Sequence, residues 1–336
     1  MVNGGDYSHN VCKSNTEYGL RVYSQTGDAT GTEKCRYIGN HCEDNGNSGN
    51  IEFYIYNESN LIKDCLFALN TIVLDGVKTI IGMSVQGDEI VVADNIIINS
   101  NDDQTGTAYQ LFNCNDGIVE GGTVRGVATV CGFSGSSGFI PNNMTVRGIK
   151  AKSVASFIPS ITDFGAGGKG HKIHSNEATH GGVGTDNGIV LTSWTEGQFE
   201  LYNNSMEGFN KGFTIGDTIV NVRGNTTINS TTWGCEVTTS SNDGVEMWGN
   251  YWDKAFPPSI CNMSAGRTET QGSRITSSDD SPTSDSRASA WEDGDFCHKT
   301  TVSVDGNGRI QLGWICTVSG TPGTWESVWS SAATWA

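Results

Sequence analysis

One short pattern recurs along most of this chain: an outward residue, an inward apolar residue, a second outward residue, then a corner of glycine or asparagine. It reads Val91-Val92-Ala93-Asp94-Asn95, Ile118-Val119-Glu120-Gly121-Gly122, Thr145-Val146-Arg147-Gly148, Lys172-Ile173-His174-Ser175-Asn176, Glu200-Leu201-Tyr202-Asn203-Asn204, Asn221-Val222-Arg223-Gly224-Asn225 and Glu246-Met247-Trp248-Gly249-Asn250. Counted on the inward residue, the copies lie 27, 27, 27, 28, 21 and 25 residues apart. A weaker copy, Tyr37-Ile38-Gly39-Asn40, precedes them. Between copies runs a second short strand, seen in Tyr109-Gln110-Leu111-Phe112, Gly188-Ile189-Val190-Leu191, Gly212-Phe213-Thr214-Ile215 and Gly234-Cys235-Glu236-Val237.

Each period thus holds at least two strands and two corners, too little apolar surface for a core of its own. Such units are buried only by stacking, which is the logic of a solenoid. Strands in a stack lie about 4.8 Å apart, so equivalent residues of successive coils become vertical neighbours. Gly and Asn suit the corners because they tolerate left-handed backbone angles, and stacked Asn side chains bond along the axis. The expected class is all-β: a right-handed, single-stranded parallel β-helix followed by a small β-rich module. A β-sandwich with accidental periodicity is the competing reading, and it would separate Val119 from Val146.

The recurrent V-x-G-N corner strand resembles the repeat of right-handed parallel β-helix proteins, the group of pectate-lyase-like enzymes and phage tailspikes, over about residues 18 to 255. After Asn250-Tyr251-Trp252-Asp253 the pattern ends. Ala255-Phe256-Pro257-Pro258 reads as a closing coil, and the Ser/Thr/Asp-rich stretch that follows reads as a linker. The tail carries Trp291-Glu292-Asp293-Gly294-Asp295 and Gly313-Trp314-Ile315-Cys316-Thr317-Val318-Ser319-Gly320-Thr321-Pro322-Gly323-Thr324-Trp325. This arrangement resembles a module at the ends of phage tail appendages; Cys297 and His298 depart from it. The expected organisation is a β-helix over 1–262, a linker over 263–288 and a Trp-rich module over 289–336. Trp291, Trp314, Trp325, Trp329 and Trp335 there can form a small core, seal a subunit contact or stack on sugars.

Composition refines this picture. With 44 Gly, 6 Pro and 36% apolar residues in 336, the chain is turn-rich yet able to fold. Its net charge of −17 repels nucleic-acid backbones and anionic membranes, leaving neutral or cationic ligands as the better fit. No apolar run is long enough to span a bilayer, and Met1-Val2-Asn3-Gly4-Gly5-Asp6 has neither the basic nor the apolar part of a signal peptide. The ten cysteines form no CxxC pair, so buried thiols are expected in place of zinc sites, with Cys297–Cys316 the first pair to test for a disulfide.

The register points to a site. Neighbours of the inward column face solvent: Ala93, Glu120, Arg147, His174, Tyr202, Arg223 and Trp248 after it, and Val91, Ile118, Thr145, Lys172, Glu200, Asn221 and Glu246 before it. Glycan recognition uses Arg, Glu and Asn hydrogen bonds with aromatic stacking, so Glu120, Arg147, Lys172, Tyr202, Arg223 and Trp248 are the candidate binding residues. Equally, the ribbon can be a solvated face whose charges keep the chain soluble. For hydrolysis Glu200 and Glu246 are the candidate carboxylates, two coils or about 9.6 Å apart by strand spacing. For elimination, Lys172, His174 or Arg223 can act as base or neutralising cation.

Other signals are weaker. Phe164 to Lys172 is glycine-rich but lacks the phosphate-loop spacing. His171, His174 and His180 have no carboxylate-rich shell around them, and Asn101-Asp102-Asp103 and Asn242-Asp243-Gly244 read as turns before calcium loops. No metal or cofactor is expected.

By resemblance, then, the chain is expected to be a phage tailspike or receptor-binding protein on the virion surface. Such a protein is homotrimeric, binds host surface polysaccharide and can carry depolymerase activity. Alternatives are a secreted bacterial polysaccharide lyase or glycoside hydrolase, and a structural fibre without a ligand. Tyr18-Gly19-Leu20-Arg21-Val22 already reads as a coil strand, so the chain is expected to attach through a virion adaptor protein or to be part of a longer spike.

Overall fold

A computed structural model describes residues 2–24, 32–45, 51–57, 62–74, 81–134, 140–159, 168–182, 185–192, 198–216, 219–239 and 245–251, with shorter segments 261–263, 268–269, 276–278, 296–299, 304–305, 309–318 and 324–330. Among these residues every regular element is a strand, and no helix is long and apolar enough to cross a membrane. The strands wind into a parallel β-helix.

Its front sheet has eleven strands, from Asp6–Ser8 to Thr268–Glu269. The inward column is continuous: Phe67, Val92, Val119, Val146, Ile173, Leu201 and Val222 are successive parallel partners, and the backbone of Met247 continues the register. Val119 and Val146 are therefore vertical neighbours, each 1% exposed, and the sandwich reading is excluded. Burying each such side chain contributes about 1.5–3 kcal/mol.

The strand expected between copies forms the back wall as two sheets, of five strands (Leu20–Ser24 to Thr129–Ser134) and four strands (Ile189–Leu191 to Cys261–Met263). Each coil also has a third strand that the period did not reveal. It forms a nine-stranded side sheet from Val11–Lys13 to Thr226–Ile228. These strands are mostly three or four residues long and begin directly after the Asn corner, so they look like continuations of the front strand.

Two front-sheet copies, at Asp6–Ser8 and Leu66–Ala68, also escape the sequence pattern; their corners are His9 and Leu69, with φ of 62° and 56°, where other copies carry Gly, Asp, Ser or Asn. What keeps those corners in line is the asparagine after them. Asn10, Asn40, Asn70 and Asn95 form one amide ladder, and Asn176, Asn204, Asn225 and Asn250 another. Each lower Asn also returns a bond from Nδ2 to the backbone carbonyl above, as Asn40 does to Tyr7 at 3.0 Å. Buried amides would be costly unpaired; here each is satisfied along the axis.

Toward the C-terminus, Thr276–Ser278 pairs in parallel with Phe296–Lys299, which continues antiparallel into Gln311–Val318 and Thr324–Trp329. Trp314 and Trp325 are buried in this small sheet, while the Arg309 guanidinium lies 5.6 Å over the Trp329 ring. Cys297 stands opposite Trp314, with Cys316 one diagonal away. Trp291 to Asp295, Trp335 and the closing segment 255–258 lie outside the described residues.

Candidate functional site

The outward columns of the front sheet are as the alternation requires. Ala93, Glu120, Arg147, His174, Tyr202, Arg223 and Trp248 are register partners in turn, and so are Val91, Ile118, Thr145, Lys172, Glu200, Asn221 and Glu246. The upper part of the face is apolar (Leu66, Val91, Ile118) and the lower part is charged and aromatic. The candidate residues are thus brought onto one ribbon, with the side chains of Glu246 and Trp248 outside the described ones.

Within the ribbon the side chains pair from coil to coil. Arg147 donates from Nε to Glu120 Oε2 at 2.7 Å and from a terminal nitrogen to the same oxygen. The Tyr202 ring stacks on His174, with centroids 4.4 Å apart and planes within 6°. Arg223 covers the other face of Tyr202 at 4.8 Å and reaches Glu200 at 3.8 Å. Both faces of Tyr202 are therefore occupied, so toward a ligand it offers its ring edge and hydroxyl, while a flat sugar face has no access to the ring. Burial lowers the His174 pKa from its ordinary value, Arg147 and Lys172 lower it further, and Glu200 opposes them. Neutral imidazole is the form this surrounding favours near pH 7, and it can both donate and accept a hydrogen bond.

Glu200 and Glu246 stand two strands apart with Asn221 between them. That spacing, about 9.6 Å, lies at the long limit of the separation used by inverting glycosidases. Glu200 is 45% exposed beside Arg223, a wetter setting than the apolar pocket that keeps a catalytic acid protonated.

The three histidines are dispersed. His171 points inward, stacked on Phe199 at 4.8 Å; His174 lies on the ribbon; His180 is on the side sheet, its Nε2 3.7 Å from Asp186. Asp103 accepts bonds from Asn99 and Thr105 at 2.7 Å each, as a turn residue does, and Asp102 pairs with Arg125 at 3.0 Å. Among the described residues no group of His, Cys, Asp and Glu is placed to hold a metal ion. Gly170 is a corner, with φ of +75°, and Asn242 to Gly244 lie outside the described residues.

A second aromatic cluster on the back wall escaped the sequence reading. Tyr18 stacks on Tyr54 at 5.0 Å, Tyr54 on Tyr56 at 5.5 Å, and Arg21 lies 5.0 Å over Tyr18. The one local signal for it is the Tyr54-x-Tyr56 alternation; Tyr18 joins only through coil stacking.

Comparison with known proteins finds no matching family model, no matching curated protein and no matching solved structure. The β-helix is compatible with a polysaccharide-binding appendage, and function is argued from the ribbon itself, because one fold hosts many activities.

Proposed function

We propose that this protein is a polysaccharide-binding appendage, of the tailspike or receptor-binding kind, whose front ribbon contacts a glycan of the host surface. The observation that carries this reading is the unbroken run Glu120, Arg147, His174, Tyr202 and Arg223 on successive strands, with Lys172 and Glu200 beside it. Hydrogen-bonding groups repeat there every 4.8 Å or so, a spacing that lets an extended glycan engage several coils at once. Planar, charge-assisted bonding from Arg and Glu gives direction to such contacts, and Lys172 adds a mobile cation. A homotrimer on a virion surface, joined to it by an adaptor protein, belongs to the same proposal.

The test is binding of purified capsular and lipopolysaccharide glycans to the chain and to Lys172→Ala, Tyr202→Phe and Arg223→Ala. The ribbon reading expects one glycan to bind, with at least tenfold weakening in Arg223→Ala; uniform binding across all variants would remove it. Light scattering that returned a stable monomer would remove the tailspike form.

An enzymatic version of the same site uses Glu200 and Glu246, or a lyase base among Lys172, His174 and Arg223. Product analysis separates these: unsaturated ends mark elimination, and new reducing ends alone mark hydrolysis.

A further inference from the structure

Charge is spread very unevenly along this chain. Acidic residues outnumber basic ones 37 to 20 overall, yet residues 121–176 hold Arg125, Arg147, Lys150, Lys152, Lys169 and Lys172 against one carboxylate, Asp163, which lies outside the described residues. The coils gather these six cations, all exposed, onto a belt. Arg147 and Lys172 stand on successive front strands, while Lys150 and Lys152 leave the side-sheet strand that follows Arg147, with Arg125 the register partner of Lys152.

Two of the six already face carboxylates: Arg125 pairs with Asp102 and Arg147 with Glu120. Lys150, Lys152, Lys169 and Lys172 make no ion pair among the described residues. Arg125 and Lys152 stack like charge on like charge one strand spacing apart, about 4.8 Å, an arrangement that costs stability until an anion stands against it. The corner between the front and side parts of the belt is bare. Its residue is Gly148, with φ of +67°, where a Cβ would meet, among the described residues, only Gly121 of the preceding coil at 3.5 Å. The corners on either side of these two glycines, Asp94 and Ser175, carry side chains.

We propose that this belt is a binding site for an acidic polysaccharide, whose anionic groups are held by Arg147 and Lys172 on the front ribbon and, across the glycine corner, by Lys150, Lys152 and Arg125 on the side sheet. It rests on the glycan reading of the ribbon, to which it adds a charge class and a second wall. The net charge of −17 repels a polyanion at long range, but that field is screened beyond about 8 Å at physiological salt, and inside that distance the belt's own cations decide. Along the axis the belt is bounded by carboxylates, Asp94, Asp116 and Glu120 on one side and Glu177, Glu200 and Glu207 on the other. A nucleic acid, with a phosphate on every unit, runs onto those rims. A glycan whose anions are separated by uncharged hydroxyls crosses them with less repulsion.

The probe is fluorescent carboxymethyl-dextran of low substitution, with unmodified dextran and a single-stranded DNA oligonucleotide as comparisons, titrated into the full chain at several salt concentrations. Saturable binding of the carboxymethyl form is expected, weakening as salt rises. The double variant Lys150→Gln/Lys152→Gln lies off the front ribbon and should weaken that binding tenfold or more and flatten its salt dependence. Circular dichroism should be unchanged, and the melting temperature unchanged or raised because the Arg125–Lys152 repulsion is gone. Gly148→Asp sets a carboxylate at a corner that Asp94 already occupies with the same left-handed backbone, and it should also weaken binding tenfold. No binding of the carboxymethyl form, equal binding of plain dextran, or indifference to the double variant overturns the proposal. DNA binding as tight as that of the glycan gives the belt to nucleic acid and overturns it as well. A host glycan that Arg223→Ala weakens and Lys150→Gln/Lys152→Gln leaves unchanged removes the belt and keeps the ribbon, so the two failures are told apart.

Discussion

The Glu52 carboxylate accepts two bonds from Asn45, from the backbone N–H at 2.8 Å and from Nδ2 at 2.6 Å, while the same Nδ2 also donates to the Cys12 carbonyl at 2.9 Å. Glu52 is fully buried, so its two oxygens are a matched acceptor for two fixed donors. Glu52→Gln turns an N–H₂ toward one of those donors and strands it. A loss of about 1–3 kcal/mol in urea unfolding is expected, and an unchanged midpoint would show that the pair is not structural.

His171 sets an acid limit on stability. Burial, opposed by a backbone hydrogen bond with Pro141, lowers its pKa from 6.5 to about 4. The unfolded chain therefore takes up this proton near pH 6.5 and the folded chain only near pH 4. The stabilising effect is complete above pH 6.5 and is lost as pH falls toward 4, by about 3 kcal/mol at ~1.4 kcal/mol per unit. His171→Phe keeps a ring against Phe199 and should flatten the unfolding free energy across that window.

On the ribbon, the His174 imidazole should titrate below its ordinary value in an NMR pH series. Arg147→Ala should raise that midpoint by removing a neighbouring cation, and Glu200→Gln should lower it by removing the opposing carboxylate. Midpoints identical in all three proteins would mean that the charges do not share one surface.

Two corner glycines separate backbone strain from crowding. Gly122 has φ of +78°, and a Cβ there would lie 2.2 Å from the Asn95 carbonyl oxygen, whereas Gly249 has φ of +62° with nothing within 4 Å among the described residues. Gly249→Ala should cost about 1–2 kcal/mol for the left-handed backbone alone, and Gly122→Ala clearly more, in paired denaturation curves. Equal costs would remove the crowding argument.

Cys12, Cys35, Cys42, Cys65, Cys114, Cys131 and Cys235 are free thiols, and all but Cys12 are buried. Burial pushes Cys65 up to about 11 and Cys114 to about 12, so the reactive thiolate is suppressed at neutral pH. These buried thiols should resist thiol reagents until the chain unfolds; fast labelling of Cys114 in the native protein would contradict its placement.

The sequence by itself determined the parallel stack, its inward column from Val92 to Val222 and the set of residues sharing the outer ribbon. It did so because strand alternation has a period of two and needs only three residues to declare a face. The side sheet, the His9 and Leu69 corners and the Tyr18–Tyr54 stack were decided by tertiary structure. Their local sequences are ambiguous until a neighbouring coil supplies hydrogen bonds and ring faces. The same holds for the chemistry of the ribbon: residue order puts Tyr202 beside His174 and Arg223, but only packing reveals that they cover its faces and leave its edge and hydroxyl for a ligand.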